Sequence, residues 1–189
     1  MSFDKVAIEK AVKSIIEAIG EDPEREGLKS TPERVADMYA EIFSGMEADP
    51  EMELKVGYEQ GHREMVIVKD IPFYSMCEHH LLPFFGNVHI GYIPNVNGRI
   101  VGISKLARVV EIIARRLQVQ ERMSTDIANA IMNGLQPSGV AVVIQAEHLC
   151  MIMRGVKKPG SQIITSAIRG IFLENAPSRA EFFSLIQNK

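Results

Sequence analysis

Two short stretches, far apart in the chain, carry the side chains best suited to chemistry. In the first, Ser75-Met76-Cys77-Glu78-His79-His80, three candidate metal ligands fall within four residues. The second, Glu147-His148-Leu149-Cys150, supplies another histidine and the other of the chain's two cysteines. Zn²⁺ favours thiolate and imidazole, and a catalytic zinc keeps three protein ligands with one position open. Cys77, His80 and Cys150 meet that requirement, leaving His79 and His148 beside the metal as proton-transfer groups. The spacing predicts that His148 and Cys150 lie on one extended strand and therefore share a face. Other readings of these residues stay open here. A buried Cys is common as a small hydrophobe. A structural zinc takes four ligands in tight paired spacings, whereas these come as one C-x-x-H pair and a distant Cys. A zinc deaminase needs H-x-E and a later P-C-x-x-C, and no P-C-x-x-C occurs.

Two further stretches bear on ligand binding. Gly102-Ile103-Ser104-Lys105-Leu106-Ala107-Arg108 predicts a helix start capped by Ser104, where free N–H groups favour phosphate. Lys105 and Arg108 add charge in its first turn. The plain alternative is a capped amphipathic helix with a solvated basic face, to which Arg115 and Arg116 also belong. Arg154, downstream of Cys150 in the same strand system, is another cation near the candidate metal. In Val119-Gln120-Glu121-Arg122-Met123, Glu121 is either a favourable first-turn carboxylate or a guanine recogniser. A carboxylate accepts two N–H bonds from the N1 and exocyclic amine edge of guanine, a pairing that adenine does not supply.

These residues need elements to position them. Val6, Ala7, Val12, Ile15, Ile16 and Ile19 repeat at helical spacing, and Gly20 and Pro23 end that helix. Ser30-Thr31-Pro32-Glu33 predicts a second helix with a capping box, running through Met38 and Ile42 to Gly45. Met46 to Gly61 is polar and broken, a connector. Strands are predicted at Met65–Lys69, at a second segment leading into the Cys77 turn, and at Val88–Ile93, with a turn at Asn95–Gly98. Leu106, Val109, Val110, Ile113 and Leu117 mark one helix; Ile127, Ala128, Ile131, Met132 and Leu135 mark another. Val140–Ala146 and Gln162–Ile168 read as strands, and Arg179–Ile186 as a closing helix. Strands and helices come in groups, so the fold class is α+β with antiparallel strands. Residues 1–61 form an N-terminal helical segment with connector, and residues 62–189 form the main domain.

The 189 residues, 46% of them hydrophobic, are enough for one domain with a substantial core. A net charge of −3 argues against a general nucleic-acid binder, and the absence of Trp argues against a stacking platform for single strands. No stretch approaches the ~20 apolar residues needed to span a bilayer, and Met1 to Lys13 does not read as a signal peptide. The expectation is a soluble, cytoplasmic protein with reduced thiols, free to bind metal.

Six segments together resemble GTP cyclohydrolase I. They are Ser30-Thr31-Pro32-Glu33-Arg34-Val35-Ala36, Ser75–His80, Gly91-Tyr92-Ile93-Pro94, Gly102–Arg108, Gln118–Arg122 and His148-Leu149-Cys150-Met151-Ile152-Met153-Arg154-Gly155. The resemblance implies Zn²⁺ on Cys77, His80 and Cys150, with His79 and His148 transferring protons. It implies GTP as substrate: Gln120 and Glu121 hold the guanine, Ser104, Lys105, Arg108 and Arg154 lie along the triphosphate, and Arg34 reaches in from a neighbouring subunit. The implied reaction opens the imidazole ring of GTP, releases formate and closes a new ring to 7,8-dihydroneopterin triphosphate. Ser104 would assist the sugar steps. The implied architecture is the tunnelling fold, assembled into a homodecamer with active sites at subunit interfaces. Two rivals remain: another tunnelling-fold enzyme acting on a different purine or pterin, and a non-catalytic, zinc-stabilised nucleotide-binding oligomer.

Overall fold

The computed structural model describes residues 3–187. In chain order the elements are α1 (Lys5–Ala18), α2 (Thr31–Ile42), a 3₁₀ turn (Pro50–Leu54), β1 (Tyr58–Glu59), β2 (Val66–Cys77), β3 (Pro83–Ile93), β4 (Arg99–Ile100), α3 (Ile103–Ala114), β5 (Leu117–Gln118), α4 (Gln120–Leu135), β6 (Gly139–His148), α5 (Leu149–Ile152), β7 (Ile163–Gly170), α6 (Ile171–Glu174) and α7 (Ala176–Gln187). The chain divides into two compact units, Met1–Ser44 and Gly45–Lys189.

The first unit is a helical hairpin. Asp4 caps α1 by accepting the Ala7 N–H, and Gly20, at φ +89°, takes the left-handed turn just beyond its end. Lys5–Asp37 and Lys13–Glu24 ion pairs, each at 2.7 Å, link α1 to α2 and to the loop between them. The predicted capping box is incomplete. Ser30 is the N-cap of α2, but its ψ of 3° lies outside the extended region that aims a cap side chain, and its hydroxyl makes no cap bond.

In the second unit, β5-β2-β3-β6-β7 form one sheet, antiparallel except for the short parallel pair β2/β5. The α+β expectation is met, and the sheet with two long helices on one face is what the tunnelling fold requires of one subunit. Alternation along the strands divides the apolar residues cleanly. Phe84, Val88, Ile90 and Tyr92 of β3, with Val140, Val142 and Ile144 of β6, join the core under α3 and α4. Ala141 and Val143 face the other way, towards Phe172 and Phe182. Phe182 of α7 reaches the sheet because Gly91 has no side chain: a Cβ there would stand 2.5 Å from the ring.

Four sequence expectations change. The two strands expected before Cys77 are one, β2, interrupted by a bulge between Val68 and Ile71, where Asp70 adopts φ +59°. Leu117 leaves the helix, because α3 ends at Ala114 and β5 begins. The helix start at α3 is capped by Gly102, with no side-chain bond, so Ser104 lies inside the first turn and is not its cap. The Met46–Gly61 connector is not a free tether: Leu54 is fully buried in the core, and Arg116 donates to the carbonyls of Gly45 and Ala48. Among the described residues, no helix is long and apolar enough to cross a membrane.

Candidate active site

The bulge in β2 decides which way Cys77 points. Before it, Val66 and Val68 pack towards α3 and α4; after it, Ile71, Phe73 and Cys77 do so. The inward phase has moved from even to odd numbers, and Cys77 faces inwards only because of the extra residue. At the strand end the chain turns over: the Leu81 N–H donates to the Cys77 carbonyl, with Leu81 at φ +51°. That turn folds His80 back over Cys77, with Sγ and Nδ1 3.8 Å apart.

Cys150 arrives differently from expectation. β6 ends at His148, and Leu149–Ile152 is a helical turn, so His148 and Cys150 do not share a strand face. Arg154 likewise lies beyond this turn, outside the strand system. The helical turn nevertheless carries Cys150 to the right place. The ligand atoms of Cys77, His80 and Cys150 all lie within 4.8 Å of one another. Around a tetrahedral zinc, with bonds of about 2.3 Å to sulfur and 2.0 Å to nitrogen, neighbouring donors stand about 3.5–3.8 Å apart. The donor set fits zinc on chemistry as well as distance. Both cysteines are free thiols, and the Cys150 thiol is pushed up by burial and by Cys77 beside it. A thiol that resists ionisation becomes a thiolate readily only around a cation.

His148 is the most tightly held of the acid–base candidates. Its ring stacks on Phe84, centroids 4.6 Å apart and planes 8° from parallel. Its Nε2 lies 2.8 Å from Oε1 of Gln120. The Gln120 amide nitrogen donates to the carbonyls of Ile144 and Ile163 and to the Thr165 hydroxyl. The oxygen must therefore face the imidazole, which fixes the proton of His148 on Nε2 and leaves Nδ1 as the reactive nitrogen. Burial lowers the His148 pKa, partly opposed by the Glu121 carboxylate. The Gln120 side chain is buried and its amide is fully used by these partners.

The remaining residues are spread along the unit. Glu121 is exposed in the first turn of α4. His79 is exposed, its Nε2 3.8 Å from Oε1 of Glu78. Glu78 also pairs with Arg122, which in turn donates to Gln118 at 3.0 Å. Arg154 Nη1 lies 3.1 Å from His80 Nε2. Ser104, Lys105 and Arg108 are grouped at the start of α3, while Ser75, near Cys77, bonds the carbonyl of Ala114 at the other end. At a rise of 1.5 Å per residue, Ser104 stands about 15 Å along the axis from Ala114. The structure thus gathers the metal donors, His148 and Gln120, and leaves the α3 cations apart. Arg34 lies on α2, in the first unit. Sequence reasoning missed three contributors: Phe84 under His148, Glu78 between His79 and Arg122, and Glu53, which pairs with Lys105 at 2.8 Å. Only Glu78, inside the Cys77 stretch, had a local signal.

A mostly antiparallel sheet, backed by two helices and ending in an open Cys-His-Cys set beside a held imidazole, defines an α+β protein with a metal centre of the catalytic type. The model of the family described as GTP cyclohydrolase I matches residues 8–187. A GTP cyclohydrolase 1 from Dehalococcoides mccartyi strain BAV1 is 71% identical over 187 residues, covering 99% of each chain. One from Pelotomaculum thermopropionicum is 62% identical with the same coverage, and one from Brevibacillus brevis is 56% identical over 99% of this chain and 100% of its own. The chain belongs to the GTP cyclohydrolase I family.

Proposed function

We propose that this chain hydrolyses and rearranges GTP to 7,8-dihydroneopterin triphosphate with release of formate, using zinc held by Cys77, His80 and Cys150. The carrying observation is the convergence of those three donors beside an imidazole whose tautomer is fixed. When bound, zinc supplies a hydroxide nucleophile at neutral pH by lowering the pKa of water from about 15.7 towards about 7.

The chain's own residues supply the rest. Purine C8 is a poor electrophile until N7 is protonated. Nδ1 of His148 delivers that proton; burial makes its imidazolium a stronger acid than a free one. His79, exposed and next to Glu78, serves the later proton transfers. Glu121 accepts the N1 and amine protons of guanine. With one nitrogen of His80 given to a metal, the other carries the ring proton. Arg154, a pure donor, then no longer bonds it and is free to meet phosphate. Ser104, Lys105 and Arg108 contact the triphosphate and the opening sugar, and Arg34 of a neighbouring subunit adds a further cation.

The separation along α3 supports active sites completed by a second subunit: guanine and metal groups lie at one end of the helix and phosphate groups at the other. Exposed Val6 and Ile15 on α1, Ile19 at its C-cap and exposed Ile164 on the edge strand β7 support self-association; a homodecamer is the proposed assembly. Residues 62–189 are the proposed catalytic domain, and the proposed location is the cytoplasm, where both thiols stay reduced. The test is turnover of GTP, read as formate and as a fluorescent pterin after oxidation. Equimolar formate and pterin are expected; zinc-loaded protein that yields neither defeats the proposal.

A further inference from the structure

Two of the cations assigned to the triphosphate are already engaged within the chain. Oε2 of Glu53 lies 2.8 Å from Nζ of Lys105 and 3.6 Å from Nη1 of Arg108. Together they hold the Glu53 carboxyl below the usual carboxylate range, the hydrogen bond from Lys105 contributing most. Glu53 and Lys105 side chains are only 24% and 26% exposed, whereas Arg108 is 60% exposed. An ordinary surface pair is weak because two long side chains must be ordered to form it. Here the carboxylate sits on the Pro50–Leu54 turn, and that turn is pinned. Leu54 is fully buried, and it packs so closely on α4 that a Cβ at Gly134 would come within 2.8 Å of it. At the far side of the turn, Asn133 donates to Glu51 at 2.8 Å. Glu53 therefore presents one oxygen to both cations at the start of α3, where the helix dipole also favours negative charge. A phosphate oxygen would meet the same three attractions in the same place.

We infer that Glu53 is an internal competitor for the phosphate chain: it occupies Lys105 and Arg108 in the unliganded protein and is displaced when a polyphosphate binds. The inference rests on the reading of Lys105 and Arg108 as phosphate contacts. A single carboxylate yields to a ligand with several negative charges and resists one with few, so the contact favours the triphosphate over less charged anions and keeps the cations ordered while they wait.

Inorganic tripolyphosphate is the probe, titrated by calorimetry into full-length, zinc-loaded protein. Glu53→Gln keeps the side-chain volume and removes the charge; unchanged zinc content and melting temperature verify its fold, and Glu53→Asp, too short to reach both cations, is the second variant. Both should bind tripolyphosphate more tightly than the parent, Glu53→Gln by roughly threefold to tenfold, with the KM for GTP falling in parallel. Lys105→Ala should weaken tripolyphosphate binding. If Glu53→Gln binds it no better, or worse, while Lys105→Ala still weakens it, the competition is refuted and the phosphate site stands. If Lys105→Ala and Arg108→Ala both leave binding unchanged, the phosphate site itself is wrong and the competition goes with it.

Discussion

The backbone N–H of Asp70 donates to Nδ1 of His89 at 3.1 Å, across the bulge that turns Cys77 towards the helices. His89 is buried on β3, and accepting this bond requires it to be neutral at Nδ1. Burial lowers its pKa from the ordinary 6.5, with the Asp70 carboxylate opposing and Lys69 reinforcing. As pH falls through 6.5 the unfolded chain takes up a proton on this imidazole and the folded chain does not. The stabilisation is therefore complete above 6.5 and is lost as pH falls below it.

His89→Gln should accordingly lower the melting temperature at about pH 8, where the parent bond is intact, by an amount corresponding to about 1–3 kcal/mol. It should also flatten the fall of melting temperature below pH 6.5, leaving the share due to His148. Thermal unfolding across that range checks both. A variant with the parent's full acid sensitivity would show that His89 is not a source of it.

Gln120 Oε1 is the partner of His148 Nε2. Gln120→Met preserves volume but removes the acceptor for Nε2–H, so the imidazole loses its fixed tautomer. Turnover should fall by about 10- to 100-fold with zinc content unchanged. Steady-state kinetics beside metal analysis separates this from loss of the metal site, and nitrogen NMR of the His148 ring should report a mixture of tautomers.

On the proposed guanine contact, Glu121→Gln replaces one of two carboxylate acceptors by a donor. The KM for GTP should rise about tenfold or more, again with zinc retained. An unaltered KM and turnover would remove Glu121 from the guanine contact.

Gly91→Ala should displace Phe182 from the sheet and cost about 1–3 kcal/mol in chemical denaturation. The metal donors lie on the other face of the sheet, so zinc binding should survive.

The sequence made the site's membership legible and its geometry only partly so. Cys77, His80 and Cys150 are chemically conspicuous, and side-chain preference for zinc needs no coordinates. The helices α3 and α4 were equally readable, because apolar periodicity over three turns or more is a strong signal. Asp70 shows where such reading stops. Nothing local marks it as left-handed, and the bulge is fixed by His89, a residue from the neighbouring strand. The end of β6 is similar: an apolar run fixes the strand, but whether His148-Leu149-Cys150 continues it or coils depends on Cys77 and Gln120, which come from elsewhere. Glu53 was invisible because its partners lie half a domain away, in a stretch whose polarity looked like that of a linker.

Zinc counted per chain, together with formate released from GTP, in the parent protein and in Cys150→Ala tests the metal centre and its chemistry at once. One zinc per chain with steady formate release is expected from the parent, and loss of both together from the variant. A variant that keeps its zinc, or an active parent whose Cys77 and Cys150 are joined as a disulfide, would contradict that metal centre.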